Sequence, residues 1–597
     1  MKRIYLIVLF FFLVRMFSFS EDTRTSLEVI CSIGNKLVRT TSFQNRLVIS
    51  HNDKKISSLK FVDFERTFGA YSSACAYALT TIVSSEDYLL DVQFTHNDHC
   101  IMWLNGKEVY NRLNPPEVGV IHEERSIELG NKLKLSLRKG TNLLLVRLNT
   151  SGKDWAFYFQ REPDRGAVLT DECPRIELTL EGLDHVDRNV AALSSWLLCG
   201  PFGEDDTDFL EMLDGHWGRM YDSELCGKVT WCLPRIELLG DVIDPAPWGT
   251  NYNWNYHNGG VAWAMQLLSD ISGDMKYARF ADDFCSYHLK NIPFIAYQVE
   301  KLNAFNCPNH HIYETPLLDF TLAPALPFIN ALNSKRTLED QDAYIAFVNK
   351  MLQYSKKQTR LPGTMAYTRL TPKKYTTWVD DMFMGIPFLV QAARYTSDKT
   401  YLEDAAQQVL DFNKIVWDED VQLYMHARYS SEPELKLPHW TRANGWGIWA
   451  TTDVLMSLEK ENVYYKPILK HYRTHVQSLI KYQNDRGFWY NVMDYPESKD
   501  EVSGTAIITM AIARGIRNGW LDKKKYFPIV QKAWEAIKTQ IHKDGTVDNI
   551  CYGTMCSSDV EYYCNRPFYT DDTHGLFAVL FAGMEVYLLE KTFLNNW

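Results

Sequence analysis

Two adjacent carboxylates, Asp380 and Asp381, stand in an otherwise apolar stretch that begins at Trp378. A carboxylate among apolar side chains is costly unless it is solvated, paired or used in chemistry. Apolar walls favour the neutral form of an acid, so one of the two could stay protonated near neutral pH and donate a proton. The alternative is structural, because Thr377 stands three residues before Asp380 and could cap a helix there. The residues alone leave both interpretations open.

The segment WTRANGW, residues 440–446, could bind a sugar acid. Trp440 and Trp446 flank the guanidinium of Arg442. Indole faces suit the apolar faces of sugar rings, and a guanidinium suits a carboxylate. The alternative is core packing, in which case Arg442 needs a buried partner.

Three other polar residues are candidates only in combination with these. Thr315 and Pro316 predict a helix start, at which the helix dipole would keep Asp319 ionised. Taken alone, Asp319 is a capping or surface acid. Arg369 and His426 are isolated polar residues that their types and spacing do not single out.

The carboxyl-terminal part of the chain, residues 248–597, must position these side chains, and its apolar period is helical. Val261 and Leu268 belong to one apolar face, and residues 272–281 form a weak repeat with residues 396–405. Recurring helical hairpins over such a length are too many for one bundle. They predict an (α/α)6 barrel with its pocket where the inner helices begin.

Residues 21–187 have the period of a β-sandwich. Leucines alternate with polar residues from Leu133 to Leu137, and Asn105-Gly106 suits a tight hairpin turn. The pattern of short antiparallel strands resembles the jelly-roll, galactose-binding-like accessory domains found beside carbohydrate enzymes. Residues 188–247 are predicted to be a connector.

The first twenty residues predict a signal peptide. Lys2 and Arg3 precede an apolar run from Ile4 to Val14, which is too short to span a bilayer comfortably. We therefore expect an exported protein, periplasmic or extracellular, without a membrane span after processing.

The amino-acid composition argues for some classes of binding partner and against others. The net charge of −11 argues against binding to nucleic acid, and the 17 Trp, 33 Tyr and 30 Phe favour carbohydrate. No cofactor motif is present, and the 12 cysteines lack the spacing of a zinc site. A local disulfide among Cys551, Cys556 and Cys564 is one possible pairing.

Four motifs resemble, in order, those of glycoside hydrolase family 105, the unsaturated rhamnogalacturonyl hydrolases. They are WVDDMFMGIPF at 378–388, WTRANGW at 440–446, EVSGTA at 501–506 and DTHG at 572–575. The resemblance implies an (α/α)6 barrel that needs neither metal nor cofactor. It implies that the catalytic residues are Asp380 and Asp319, and that the substrate is bound by Arg369, Trp378, His426, Trp440, Arg442 and Trp446.

The substrate implied by the resemblance is a small oligosaccharide whose non-reducing end is a uronic acid with a C4–C5 double bond. Asp380 would protonate C4 and then help to deprotonate the water that adds to C5. The hemiketal so formed collapses, and the glycosidic bond at C1 is lost. Asp319 would orient the sugar or the water.

Two kinds of rival function remain from the sequence. One is another enzyme on the same barrel, either a polysaccharide lyase, which creates the double bond, or an inverting glycosidase, which acts on an unmodified sugar. The other is an exported glycan-binding protein without catalysis, which would have no need of Asp380.

Overall fold

The computed structural model describes residues 23–43, 48–51, 54–57, 61–113, 131–152, 155–161, 176–180, 183, 186, 194–203, 209–213, 215–216, 219–234, 241–242, 253–302, 309, 311–315, 317–334 and 336–594. The chain divides into two compact units. The first contains residues 1–41, 242–286 and 315–597, and the second contains residues 42–241 and 287–314. The predicted signal peptide, residues 1–20, lies outside the described residues.

The first unit contains a closed ring of helices. The inner helices are α2 (Tyr256–Ser272), α4 (Leu326–Asn333), α6 (Asp380–Thr396), α8 (Thr441–Ser457), α10 (Val502–Arg517) and α12 (Thr573–Leu594). Each inner helix contacts the next one along the chain, and α12 contacts α2. The ring therefore closes on itself, and the (α/α)6 barrel predicted from the sequence is confirmed.

A second set of helices alternates with the inner ones. They are α1 (Ser26–Thr40), α3 (Met275–Leu302), α5 (Gln341–Lys357), α7 (Thr400–Ile415), α9 (Tyr465–Leu479) and α11 (Lys523–Lys538). Most of these helices pack on the inner helix next to them in the chain, whereas α1 packs on both α2 and α12.

The position of α1 corrects the prediction that residues 21–187 form only a β-sandwich. Thr25 and Glu28 form a capping box, and Val29, Ile33 and Leu37 are buried at a spacing of four residues. Residues four apart lie on the same face of a helix, so this spacing gives α1 one continuous apolar face. The capping box marks where the helix begins. The β prediction is therefore wrong for residues 26–40.

The interior of the barrel is filled by aromatic rings. Phe383 stacks on Trp446 with ring centroids 4.5 Å apart, and Trp446 stacks on Phe577 at 5.8 Å. Trp449 packs edge-on against Phe581 farther along the ring. Because these rings fill the middle, space for a ligand is left at the ends of the inner helices.

The apolar character of α12 follows from its place in the ring. Within the described residues, it is the one helix whose length and composition would suffice to cross a membrane, and 78% of its most apolar window is buried in the protein. Burial among the other inner helices accounts for this composition.

The second unit is the antiparallel sandwich that the alternating pattern predicts. Its strands are β1 (Phe61–Asp63), β2 (Ala74–Ser84), β3 (Tyr88–His96), β4 (His99–Leu104), β5 (Lys107–Leu113), β6 (Asn131–Leu137), β7 (Gly140–Thr150), β8 (Ala156–Arg161), β9 (Ile176–Thr179) and β10 (Leu197–Phe202). One sheet has the order β9-β2-β7-β4-β5, with β10 also paired to β2, and the other has the order β1-β8-β3-β6. Apolar residues from both sheets form one core between them.

The predicted connector, residues 188–247, differs from the structure. It contributes β10 to the sandwich sheet, because the apolar run from Leu197 pairs with β2.

The cysteines near the carboxyl terminus also differ from the expectation. Cys551, Cys556 and Cys564 are not joined by a disulfide, so the local pairing considered for them is wrong.

Candidate active site

A short strand pair places Asp380 beside His426. Residues 376–378 pair with residues 427–429, and Trp378 lies opposite Ala427. The amide of Val379 donates to the carbonyl of His426 at 3.1 Å, and α6 begins with Asp380 immediately afterwards. No side chain caps this helix, so the capping interpretation of Asp380 is wrong.

Asp380 and His426 lie at ion-pair distance. His426 Nε2 is 3.2 Å from Asp380 Oδ2, and the exposed fractions of the two side chains are 0% and 13%. Neither of these two atoms completes a well-aligned hydrogen bond. A buried carboxylate oxygen therefore keeps bonding capacity beside a side chain that can carry a proton.

The free protein favours the ionised form of Asp380. Burial by itself raises the pKa of this carboxyl, but His426 and the guanidinium groups of Arg369 and Arg442 outweigh it, so the pKa lies below its ordinary value. The expectation that apolar walls keep Asp380 protonated is therefore wrong for the free protein. The cause is that its nearest neighbours are cationic or can become so.

Asp381 has the opposite environment. Its side chain is 1% exposed and pairs with Arg369, whose Nη2 donates to Oδ1 at 2.7 Å and whose Nε lies 3.1 Å from both oxygens. Burial raises the pKa of Asp381 to about 6, although Arg369 lowers it. Asp381 is thus a buried partner of an arginine.

Arg369 joins Asp381 to Asp319. Its Nη2 also donates to Asp319 Oδ2 at 2.8 Å, and its guanidinium lies over the ring of Trp378 at 4.9 Å. Nη1 of Arg369 has no hydrogen-bond partner in the part of the chain that the structure describes. A cavity of about 240 Å³ borders Arg369 and Asp381. One nitrogen of Arg369 is therefore left for a ligand, and the substrate-binding role that the resemblance implies for this residue stays a prediction.

The local structure around Asp319 differs from the prediction. Asp319 lies in a single 3-10 turn, Leu318–Phe320, and the inner helix α4 begins only at Leu326. Thr315 has a φ of +49°, which a helix N-cap does not adopt. Asp319 is held by Arg369 and not by a helix dipole.

Arg442 is bonded within the protein in this structure, which corrects its prediction as a substrate clamp. The side chain is 0% exposed. Nη1 donates to Ser503 Oγ at 3.0 Å and to the carbonyl of Cys551, and Nη2 donates to the carbonyl of Tyr552 at 2.9 Å. The buried partners that core packing requires are thus mainly backbone carbonyls.

The three predicted sugar-stacking indoles are core residues. Trp378, Trp440 and Trp446 are 3%, 1% and 0% exposed. Trp440 packs against His426, with ring centroids 4.6 Å apart, and carries Arg442 on its face at 4.5 Å. These rings support the site from within the protein and offer no open face to a sugar.

Sequence reasoning missed Tyr256, which opens α2. The phenol is half-buried, and burial raises its pKa, while the charges of Arg442, Asp319, Asp380 and Asp572 all act on it. Tyr256 is therefore close enough to these four residues for their charges to act on its phenol. Its signal in the sequence is an aromatic residue directly after Asn255, which caps the helix.

Two histidines also lie beside Tyr256. His257 and His574 face each other with ring centroids 4.2 Å apart. His257 Nδ1 bonds to Thr573 Oγ1, and His574 Nδ1 bonds to Asp572 Oδ1, both at 2.6 Å. The motif at 572–575 therefore orients a histidine at the start of α12.

The motif at 501–506 has a structural role. Glu501 is fully buried and accepts hydrogen bonds from the amides of Ser503 and Gly504 at 2.8 and 2.6 Å, which caps α10. It also accepts from the amide of Cys551 at 3.1 Å. Glu501 thus fixes the same segment that Arg442 holds.

The carboxyl-terminal part of the chain is similar to known proteins. The model of Glycosyl Hydrolase Family 88 matches residues 241–590. An unsaturated 3S-rhamnoglycuronyl hydrolase of Formosa agariphila is 31% identical over 231 residues, which cover 36% of this chain and 58% of that protein. The unsaturated rhamnogalacturonyl hydrolase YesR of Bacillus subtilis is 28% identical over 192 residues, which cover 32% of this chain and 54% of YesR. The chain spans a little over half the length of these curated relatives.

A solved structure shows the same fold. A family 105 glycoside hydrolase from C. acetobutylicum has a TM-score of 0.50 and 20% sequence identity, and the match covers 57% of this chain and 95% of that one.

Proposed function

The chain belongs to Glycosyl Hydrolase Family 88, whose model covers more than half of it, and we propose that it removes the terminal 4,5-unsaturated uronic acid from oligosaccharides that a polysaccharide lyase has released. The resemblance to family 105 is confirmed by the family match and the two relatives. The observation that carries the proposal is the pair formed by Asp380 and His426, with a buried carboxylate oxygen that no hydrogen bond occupies.

The double bond of the substrate decides the chemistry. C4 and C5 with the ring oxygen form an enol ether, so a proton delivered to C4 leaves an oxocarbenium ion at C5. Water adds to C5 and loses a proton to the acid that donated the first one. The resulting hemiketal opens at the bond between C5 and the ring oxygen, and C1 then releases the next sugar. One water is consumed and the acid is regenerated.

Asp380 is the acid in this scheme, and His426 supplies it with the proton. In the free protein the pair favours the carboxylate form of Asp380. Binding brings the substrate's own carboxylate close and displaces water, and both changes favour protonated Asp380. The proton then passes over the 3.2 Å from His426 Nε2 to Asp380 Oδ2. General acid catalysis of this type contributes about 10²–10⁴-fold to a rate.

Arg369 binds the substrate carboxylate through its unused Nη1. Asp319 holds Arg369 from one side and, with 19% of its side chain exposed, can also accept a hydrogen bond from a sugar hydroxyl or from the water. The charges of Asp319 and Asp380 also act on Tyr256, so we propose that its phenol lines the same site.

The sugar that follows the uronic acid is proposed to be rhamnose. Both relatives carry a rhamnose-containing substrate in their names. Rhamnogalacturonan is the first choice, and ulvan is the alternative polymer.

We further propose that the protein is exported by its first twenty residues and acts in the periplasm or outside the cell. The basic start and short apolar run support this. Mass spectrometry of the exported protein should find a new N-terminus near Glu21, and an intact Met1 on exported protein would contradict it.

The activity is tested with a panel of lyase-generated oligosaccharides from rhamnogalacturonan and ulvan. The proposal predicts loss of the ultraviolet absorbance of the conjugated uronate and release of the next sugar. No loss with any unsaturated uronide would overturn it. A gain of absorbance on intact polysaccharide would identify a lyase instead.

A further inference from the structure

Tyr563 lies directly behind His426. The hydroxyl of Tyr563 is 2.7 Å from His426 Nδ1, on the side of the ring away from Asp380, and both residues are 0% exposed. Tyr563, His426 and Asp380 thus form a continuous series of polar groups from a buried phenol to a partly exposed carboxylate. Tyr563 belongs to none of the four motifs that the sequence resemblance rests on.

The phenol itself is rigidly held. Its oxygen accepts from the amide of Ser557 at 3.0 Å and lies 3.3 Å from the carbonyl of Ser557, to which it can donate. The carbonyl of Tyr563 accepts from Asn491 Nδ2 at 3.0 Å, and Asn491 Oδ1 accepts from Trp440 Nε1 at 2.9 Å. Tyr563 is therefore fixed by two neighbouring segments, one of which also fixes the indole that packs on His426.

The two partners of the hydroxyl allow His426 to exist in two protonation states. When His426 is neutral, the hydroxyl donates to Nδ1, so the ring proton must be on Nε2, facing Asp380. When His426 is charged, Nδ1 donates to the hydroxyl oxygen, and the hydroxyl donates to the Ser557 carbonyl. No group has to move in order for the ring to take up or release a proton.

We propose that Tyr563 is a positioning residue for the hydrolysis, which keeps Nε2 of His426 directed at Asp380 and lets His426 hold the proton that Asp380 delivers. This inference rests on the proposed function of the Asp380–His426 pair. It extends that function by naming a residue outside the substrate site on which the reaction depends.

Among the described groups around the Asp380–His426 pair, Tyr563 is the one suited to bond His426 Nδ1. The rings of Trp378 and Trp440 cover His426 and provide no acceptor for Nδ1. The charged and titratable groups that act on Asp380 or are acted on by it are His426, Arg369, Arg442, Asp381, Tyr256, Cys556 and Tyr563. Of these, Tyr563 is the one bonded to the far nitrogen of the histidine.

The substitution Tyr563→Phe tests the proposal. Without the hydroxyl, a charged His426 has no acceptor for its Nδ1 proton, so the pair binds its proton less tightly. We expect kcat/KM to fall about tenfold and its alkaline limb to move to lower pH by about one unit, as for the loss of one hydrogen bond to a charged group. A merely structural role would lower the amount of active enzyme and leave the pH at which activity is lost unchanged.

The matched control is Tyr562→Phe. This neighbour stands on the same short helix, Val560–Cys564, and its hydroxyl also accepts one backbone amide, that of Met555 at 3.1 Å. We expect the control to keep the wild-type pH profile and to lie within about twofold of its kcat/KM. Equal pH profiles for both variants and the wild type would overturn the role of Tyr563.

A measurement on the unchanged protein keeps the inference testable if Tyr563→Phe does not fold. Nitrogen-15 NMR of histidine-labelled protein, with His426→Gln to assign the resonance, reports which ring nitrogen carries the proton. We expect His426 at high pH to be protonated on Nε2 and to accept a hydrogen bond at Nδ1. Protonation on Nδ1 at high pH would contradict the proposal.

The experiments distinguish failure of the proposed hydrolysis from failure of the proposed role of Tyr563. If the wild-type protein hydrolyses no unsaturated uronide, the proposed reaction is wrong. If the wild type is active while Tyr563→Phe keeps its pH profile, the reaction stands and only the role of Tyr563 is lost.

Discussion

The barrel contains two buried pairs of an aspartate and an arginine that look alike in isolation. Asp381 pairs with Arg369 at 2.7 Å, and Asp453 pairs with Arg514 at the same distance. Burial raises the pKa of each aspartate to about 6, against the effect of its arginine. Each pair also borders a cavity, of about 240 Å³ at Asp381 and about 650 Å³ at Asp453.

The two regions differ in what stands beside the pair. Asp453 is twelve residues from the start of α8, which is about 18 Å along the helix axis, and Arg514 is also held by Glu585 at 2.9 Å. Asp381 is instead preceded in the chain by Asp380, the first residue of its helix. Among the residues that the structure describes, Asp380 Oδ2 has no hydrogen-bond partner. A raised pKa and a cavity are therefore shared by both regions, whereas a carboxylate with an unoccupied oxygen next to a histidine distinguishes the region that we propose to be catalytic.

The largest effect should come from comparing Asp380→Asn with Asp453→Asn. The first variant keeps shape but cannot transfer a proton, so we expect kcat/KM on an unsaturated uronide to fall at least 10²–10⁴-fold. The second changes an equivalent group in the other region and should keep the activity of each folded molecule within about twofold. Steady-state kinetics corrected for the folded fraction will measure both.

The distinction between the two regions is wrong if Asp453→Asn lowers kcat/KM more than Asp380→Asn does. Near-normal rates for Asp380→Asn would remove the proposed acid. A large loss of kcat in folded Asp453→Asn would mean that the distant region takes part in the reaction.

Stability should rank the variants in the opposite order. Asp381 and Asp453 each accept hydrogen bonds from the guanidinium of a buried arginine, and Asn can turn a donor toward that guanidinium where the carboxylate has an acceptor. We expect Asp381→Asn and Asp453→Asn to lower the unfolding free energy more than Asp380→Asn, which has no bidentate partner. Urea unfolding followed by tryptophan fluorescence measures it, and equal losses for all three would contradict the distinction.

The smallest effect concerns pH. The folded-state pKa of Asp453 is about 6 and lies above its ordinary value of 3.8, so folding is favoured by protonation of this group. Its contribution to stability is fully present below about pH 4 and is lost as the pH rises through 6. The destabilisation caused by Asp453→Asn should therefore shrink between pH 4 and pH 7. A difference that grows with pH would contradict the raised pKa.

The sequence predicts the barrel well because helical periodicity is a local property. It fails at α1, a single helix that precedes many strands and lies within residues 21–187, for which the sequence predicts a β-sandwich. The helix that completes a ring can come from either end of the chain. Periodicity does not reveal which segment supplies that helix.

The site is only partly predictable for a different reason. The motif around Asp380 is visible in the chain, but its contact with His426 depends on the register in which Trp378 faces Ala427. Residue type also cannot decide whether an indole faces a sugar or the core, as Trp440 and Trp446 show. The partners of Arg442 are backbone carbonyls, which no pattern of side chains reveals.

The most direct test of the central claim is to run the reaction in D₂O and examine the released sugar acid by NMR. If Asp380 delivers a proton to the alkene, the product carries deuterium at C4 and no longer contains the C4–C5 double bond. Release of the terminal sugar with the double bond intact and no deuterium at C4 would contradict the account, because the glycosidic bond would then have been cleaved without protonation of the alkene.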